Sequence, residues 1–248
     1  MEHRGGYGQF CPVAMAAEVL CTRWTVLIVR ELSAGSTRFN ELRKGVPRMS
    51  PALLSKRLKE LETWGIVERL AEEKGTGSAY RLTSAGQELW PVIESMGVWG
   101  QRWLEGQLSL KNLDPSLLMW DMRRNLDPTP IPPRRVVIQF LYRDVPPGKQ
   151  KWWLIVDNGE ADLCWTDPGF DVDLYVVSDL RAVTAIWMGI ATVQGEVEAG
   201  RLELMGDKDV ANSMQQWLGL SPFAAVPKQP SKERVGLPGA PSLFAPPM

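Results

Sequence analysis

Residues 37–69, TRFNELRKGVPRMSPALLSKRLKELETWGIVER, read as two short helices joined by a tight turn and followed by the start of a strand. The second helix has a strong start. Ser50 is a favoured N-cap, and Pro51 takes the first helical position, where a missing N–H costs nothing. Gly65 ends the helix about four turns later. Leu54, Leu58 and Leu61 recur at helical spacing and form one apolar stripe. The opposite face carries Ala52, Lys56, Lys59 and Thr63, with Leu53, Ser55 and Arg57 on its flanks. Residues 37–60 hold seven Lys/Arg against two Glu in a chain of net charge −1. A helix with small residues at its start and a basic outer face suits the major groove of DNA. An ordinary solvated basic face has the same pattern, so charge alone leaves both readings open.

The next residues favour the DNA-reading alternative. Val67–Leu70 and Ser78–Leu82 are expected to be strands joined by the polar segment AEEKGTGS, and Thr83 to cap another helix. Two helices followed by a hairpin make a winged-helix arrangement. On these residues the chain resembles the HxlR-type branch of the MarR-like winged-helix transcriptional regulators. The matching positions are Cys11-Pro12-Val13, Arg23-Trp24-Thr25, Gly35 with Arg38-Phe39-Asn40-Glu41-Leu42, and Ser50 with Leu54-Ser55-Lys56-Arg57-Leu58. They continue through Leu61-Glu62, Gly65-Ile66-Val67, Arg69, Tyr80, Leu82-Thr83 and Gly86, in register over residues 8–105. The wing departs from the family. A Pro-containing tip is usual, whereas this chain has the partly acidic Glu72-Glu73-Lys74-Gly75-Thr76-Gly77.

The resemblance implies double-stranded DNA as partner, with Arg38, Arg48, Ser50, Ala52, Ser55, Lys56, Arg57, Lys59, Lys74 and Arg81 at the interface. It also implies a homodimer built on the first and last helices of this region, which aligns two reading heads on a pseudo-palindromic operator. In some members of the resembled family a cysteine at the position of Cys11 senses oxidants or electrophiles; a small buried side chain is the plainer role.

Composition bounds the alternatives. At 248 residues the chain is long enough for two cores, and 44% hydrophobic with 23% charged residues is ordinary for a globular protein. Residues 1–113 carry a net +3 and residues 114–248 a net −4, so only the first part suits a polyanion. The start, MEHRGGYGQF, has no apolar core of a signal peptide, and the longest uncharged run, Ala182–Gly195, is too short to span a bilayer. A cytoplasmic location is expected. Cys11, Cys21 and Cys164 show neither metal-ligand spacing nor a disulfide framework, and the single histidine, His3, sits in the terminus. No metal, cofactor or catalytic constellation is therefore expected.

Taken in order, residues 1–10 read as loose and Pro12–Leu32 as one helix. Ser84–Leu108 read as a longer helix, in which Gly97 and Gly100 would let another helix approach closely. Ser116–Asn125 form a short helix ahead of the Pro-rich DPTPIPPRR. The periodicity then becomes that of strands: Val136–Arg143, Trp152–Asp157, Ala161–Trp165 and Asp173–Val177. Ser178 is expected to cap a helix, a second short turn or helix follows, and a strand at Arg201–Met205 and a helix at Asp207–Leu218 close the domain. Residues 222–248 contain seven prolines and read as part of a disordered tail.

This second half resembles the sterol-carrier-protein type 2 fold. The resemblance rests on Trp153, Ala161-Asp162, Val176, Asp179-Leu180, Trp187-Met188-Gly189, Gly200-Arg201-Leu202, Leu204, Gly206-Asp207 and Trp217-Leu218, in order over residues 133–219. It implies an apolar space for a lipid-like small molecule, with Trp120, Phe140, Trp153, Trp165, Trp187 and Met188 as its wall. The same aromatics would equally serve as a filled core. The expected fold class is α+β in two domains, the second with a mostly antiparallel sheet. The expected divisions are 1–110 (winged helix and dimerisation), 111–134 (short helix and connector), 135–220 (sterol-carrier-like) and 221–248 (tail). The leading function is a dimeric, ligand-responsive transcriptional regulator. The alternative is a lipid or acyl-ligand carrier whose N-terminal domain serves assembly.

Overall fold

In the computed structural model, which describes residues 6–71, 78–104 and 113–229, the helix expected over Pro12–Leu32 is broken. Helix α1 is Pro12–Leu20 and α2 is Thr25–Ser33, and their axes turn by 83°. The break is local chemistry. Thr22 returns its hydroxyl to the Glu18 carbonyl at 3.2 Å, and Trp24 enters α2 in the left-handed region at φ 79°. An apolar run shows no such corner, because periodicity continues across it.

Helices α3 (Phe39–Gly45) and α4 (Pro51–Thr63) follow, then strands β1 (Val67–Ala71) and β2 (Ser78–Leu82). Leu54, Leu58 and Leu61 of α4 are buried against Ile28 and Val29 of α2 and Leu42 of α3, as one stripe requires. Gly65, at φ 69°, ends α4: its N–H reaches the Glu62 carbonyl and the N–H of Ile66 reaches that of Leu61, which satisfies carbonyls the helix leaves open. The hairpin is antiparallel with Val67 opposite Leu82. Its second strand is fixed to the turn before α3 by Tyr80 N–H donating to the Thr37 carbonyl at 2.8 Å.

The expected helix from Ser84 is also divided, into α5 (Ser84–Gln87) and α6 (Trp90–Trp103). Pro91 explains this, since it has no N–H to donate to the Gln87 carbonyl. The expected continuation to Leu108 lies outside the described residues, as do His3, the wing tip at 72–77 and the end of the tail at 230–248.

The chain divides into two units, residues 1–95 and 96–248. In the second, α7 (Pro115–Asn125) is capped by Asp114, whose carboxylate accepts from Ser116 N at 2.9 Å and Leu117 N at 3.3 Å. The sheet is formed by β3 (Val136–Tyr142), β4 (Lys151–Asp157), β5 (Glu160–Cys164), β6 (Leu174–Ser178) and β7 (Leu202–Gly206). Its order is β5-β4-β3-β6-β7, with β3 and β6 parallel and every other pair antiparallel. Asn158 and Gly159, both at positive φ, make the two-residue turn between β4 and β5.

Ser178 closes β6 instead of capping a helix, and α8 (Leu180–Trp187) follows with Asp179 at its N-cap. The Leu180 N–H is satisfied by Asp144 at 2.7 Å, a distant partner that stands where a local cap was expected. After α9 (Val193–Glu198), the expected closing helix is two pieces, α10 (Lys208–Asn212) and α11 (Met214–Trp217). Ser213 divides them, with its hydroxyl turned back to the Asp209 carbonyl at 2.7 Å. The core lies on one face of the sheet. Val136, Ile138, Phe140, Tyr142, Trp152, Leu154 and Val176 pack with Met119 and Met122 of α7, Val183 and Ile186 of α8, and Trp217 of α11.

One expectation needs correction at the C-terminus. Residues 221–229 are not loose: Ser221 N–H donates to the Trp187 carbonyl at 2.8 Å and Gln229 N–H to that of Arg102 at 3.0 Å. Phe223 lies so close to Gly97 that a Cβ there would overlap its ring. The close approach expected at Gly97 thus comes from this segment, not from a helix.

Candidate nucleic-acid interface

The α4 helix presents Ala52, Lys56, Lys59 and Thr63 to solvent, with Ser55 half-buried beside them; together with Glu60 they line one shallow depression. Ser50 precedes them as the N-cap, and its hydroxyl accepts from Leu53 N at 3.3 Å. Arg38, at the N-cap of α3, and Arg48, in the turn between α3 and α4, are exposed. The strip therefore combines a capped helix start, two cations within its first three turns and small neighbours that leave room around them. Groove-inserted helices read bases from that end.

Two sequence-predicted contacts sit differently. Arg57 pairs with Glu60 one turn on, and its Nε donates to the Arg23 carbonyl at 3.3 Å. It is turned toward the corner between α1 and α2, away from the Lys56 strip. Arg81 pairs with Glu68 across the hairpin at 2.5 Å, and that carboxylate raises the guanidinium pKa further. Lys74 lies outside the described residues. Sequence reasoning missed Glu68 and Arg69. The hairpin register brings Glu68 opposite Arg81, and Arg69 donates to the Ser78 hydroxyl at 2.6 Å. The register itself was the available signal, because counting back from Leu82 to Val67 pairs these residues.

Cys11 is the N-cap of α1 and half-buried; the Ala14 and Val13 amides facing its sulfur hold the thiol below its usual range. Val13 and Met15 on α1, and Val92, Met96 and Trp99 on α6, leave large apolar surfaces exposed.

In the second unit the expected pocket wall does not converge. Trp120, Phe140 and Trp187 are buried together in the core, and Met188 packs against its edge. Trp153 is buried on the other face of the sheet, since Trp152 and Leu154 on either side of it join the core. Trp165 is 61% exposed beyond the end of β5. Among the described residues, no three His, Cys, Asp or Glu side chains gather as a metal site. Among them too, no single helix is long and apolar enough to cross a membrane.

Comparison with known proteins places the first half. The HxlR-like helix-turn-helix family matches residues 19–108. The HTH-type transcriptional regulator YvaP of Bacillus subtilis is 37% identical over 99 residues, which is 39% of this chain and 92% of that protein. The regulator sll1512 of Synechocystis is 36% identical over 99 residues, 40% of this chain and 73% of its own length. YodB of Bacillus subtilis is 37% identical over 97 residues, 38% of this chain and 87% of its own length. A fold, a capped basic helix and coverage of 73–92% of these regulators' length agree, and the chain belongs to the HxlR-like helix-turn-helix family of transcriptional regulators.

Proposed function

We propose that α4 reads an operator in the DNA major groove, with Lys56 and Lys59 on its exposed strip and Ser50 at its phosphate-facing start. The carrying observation is that strip: two lysines beside small residues, on a helix whose other face is locked into the core. Arg38, Arg48, Ala52 and Ser55 complete the face. Arg57 and Arg81, each paired with a carboxylate, are proposed as secondary contacts, and Lys74 as a further one from its place in the sequence. Selection from fragmented genomic DNA at physiological salt tests the reading: a defined site should be enriched by about 10³-fold or more over random DNA. No enriched site would favour the carrier alternative.

Lys56→Ala should cost about 1–3 kcal/mol of operator affinity if Lys56 reads a base; if it meets phosphate, the salt slope should fall by about 1 instead. Unchanged affinity and slope would remove α4 as the reader.

Exposed apolar side chains on α1 and α6 support a two-fold homodimer, which would place two recognition helices about 34–36 Å apart on successive major grooves. Such a protein acts in the cytoplasm, where its DNA is. Cys11, with its lowered thiol pKa at a helix start, is proposed as an oxidant sensor. Peroxide should weaken operator binding reversibly, and Cys11→Ser should abolish the response; identical behaviour of both proteins would leave Cys11 a structural residue.

The second unit is proposed as a sterol-carrier-like effector domain. Its support is a five-stranded sheet covered on one face by helices, an acidic balance and an aromatic core. Trp120, Phe140 and Trp187 are packed in the core with Met188 at its edge, so an apolar effector would have to displace that packing, with Trp153 and Trp165 outside it. The divisions at 110 and 134 are proposed as the limits of the connector, whose helix α7 packs into the domain's core, and residues 221–229 are taken with the domain rather than with the tail.

A further inference from the structure

The sheet of the second unit buries the even-numbered residues of β3 and β4 against the helices, so the odd-numbered ones point from its opposite face. The connection from β5 to β6 crosses that face. Strand β5 ends at Cys164, opposite Trp153, and β6 starts at Leu174, opposite Ile138, so residues 165–173 must pass over β4 and β3. Arg135 and Asp157, which pair at 2.9 Å, are odd-numbered, and Arg135 lies over the Phe170 ring, 4.6 Å from its centre. The connection is therefore a strap on the face away from the helices, and Val137 and Trp153 are buried there, outside the helical core. Trp153 is only 5% exposed, yet its indole N–H has no hydrogen-bond partner among the described residues. The buried indoles of Trp152 and Trp217 do have one, the Lys149 and Val210 carbonyls at 2.8 and 2.7 Å. A donor buried without an acceptor is costly, and an acceptor carried in by a ligand would remove that cost. The row of Trp153 continues through half-buried Gln139 to exposed Tyr175 and Met205, with Leu141 and Val177 beside it. A few polar groups on an apolar surface are the pattern of a small-molecule site. Charge does not favour an ion: Arg135 and Arg143 are paired with Asp157 and Glu203, and Lys151 and Asp162, one of each sign, are exposed.

We infer that the second unit binds a flat, uncharged, apolar molecule between this sheet face and the strap, through a carbonyl oxygen that accepts from the Trp153 indole. This rests on the reading of the unit as an effector domain, and it moves the ligand from the packed face of the sheet to the opposite one. The donors in the row, an indole and a carboxamide, are neutral, which suits a ketone or amide oxygen better than a carboxylate. The strap can rise to admit the ligand without breaking the sheet. Among the described residues, the backbone of 166–172 bonds to neither β3 nor β4, and the Gly169 N–H is taken within the strap by Asp167 at 2.8 Å.

Titration of the full chain with acetophenone, ethylbenzene and benzoate, by calorimetry and ligand-observed NMR, tests the site without DNA. The three probes share a ring and differ in acceptor and charge. Acetophenone should bind saturably and about tenfold tighter than ethylbenzene, although the hydrocarbon is the more apolar of the two. Trp153→Phe keeps a ring and removes the donor, so it should weaken acetophenone about tenfold and leave ethylbenzene unchanged. Unchanged far-UV dichroism and melting of the variant separate this loss from unfolding. If the variant does not fold, the indole N–H spectrum of the wild type carries the test: one resonance should move downfield with acetophenone and stay in place with ethylbenzene. Equal binding of ketone and hydrocarbon, a preference for benzoate, or no binding by any probe would overturn the site. Acetophenone binding indifferent to Trp153→Phe would also overturn it, and would leave the effector domain standing with its ligand elsewhere. That wider reading falls only if medium-chain lipids, too, leave the melting temperature unmoved.

Discussion

Gly45→Ala should destabilise the winged-helix half by about 3–5 kcal/mol, far more than a helix propensity change, which on its own would favour alanine. The cause is Glu31, fourteen residues earlier and fully buried in α2. A Cβ on Gly45 would overlap the Glu31 carboxylate. That carboxylate is held by Arg30 at 2.6 Å and by the Ser36 hydroxyl at 3.3 Å, while Arg30 also donates to the Gly45 carbonyl at 3.1 Å. Alanine therefore forces a choice: either the carboxylate leaves its partners or α3 moves off α2. Both leave a buried charge poorly satisfied, and the first alone reaches the stated cost. Urea denaturation measures it. Glu31→Ala vacates the space, so the double variant should be little less stable than Glu31→Ala alone, a coupling of neighbours that additivity would miss. If Gly45→Ala melts like the wild type, the close approach of α3 to α2 is wrong.

That pair also marks where the sequence stops being readable. Leu54, Leu58 and Leu61 announce a buried stripe because period 3.6 is local, and they are buried. The cap at Ser50 and the stop at Gly65 are equally local. Gly45 reads only as a turn residue and Glu31 only as a surface acid, because their meeting depends on how α2 packs on α3. Arg57 fails for the same reason. Helical phase puts it on a flank of the reading face, but a carbonyl 34 residues away fixes its direction. In the second half, alternation shows that Trp152 and Trp153 face opposite ways, without saying which side the helices cover. The structure gives the core to Trp152 and leaves Trp153 behind the sheet. Only the match to residues 19–108 adds what local pattern lacks, and it ends before that sheet begins.

Trp217→Ala should be the most damaging single truncation in the second unit, costing about 3–5 kcal/mol. Trp217 is the largest of its fully buried side chains and sits in α11, a helix of four residues. So short a helix has no stability of its own, and what holds it is the burial of its side chains. The indole also donates to the Val210 carbonyl at 2.7 Å, which ties α11 to α10, and the Trp217 carbonyl accepts from Asp127 N at 3.1 Å beyond the end of α7. Removing the ring opens a cavity in the cluster that joins α7, α11 and the sheet. Trp217→Phe separates the two contributions. It keeps most of the apolar volume and loses the indole hydrogen bond, so its cost should be smaller, about 1–2 kcal/mol. Trp165→Ala is the control: the same residue type, 61% exposed, should change stability by no more than about 0.5 kcal/mol. Far-UV dichroism during urea unfolding is the suitable probe, since removing a tryptophan alters the fluorescence directly. Equal stability of Trp217→Ala and Trp165→Ala would show that the closing helix does not seal this core, and the proposed effector domain would then lack the wall that encloses it.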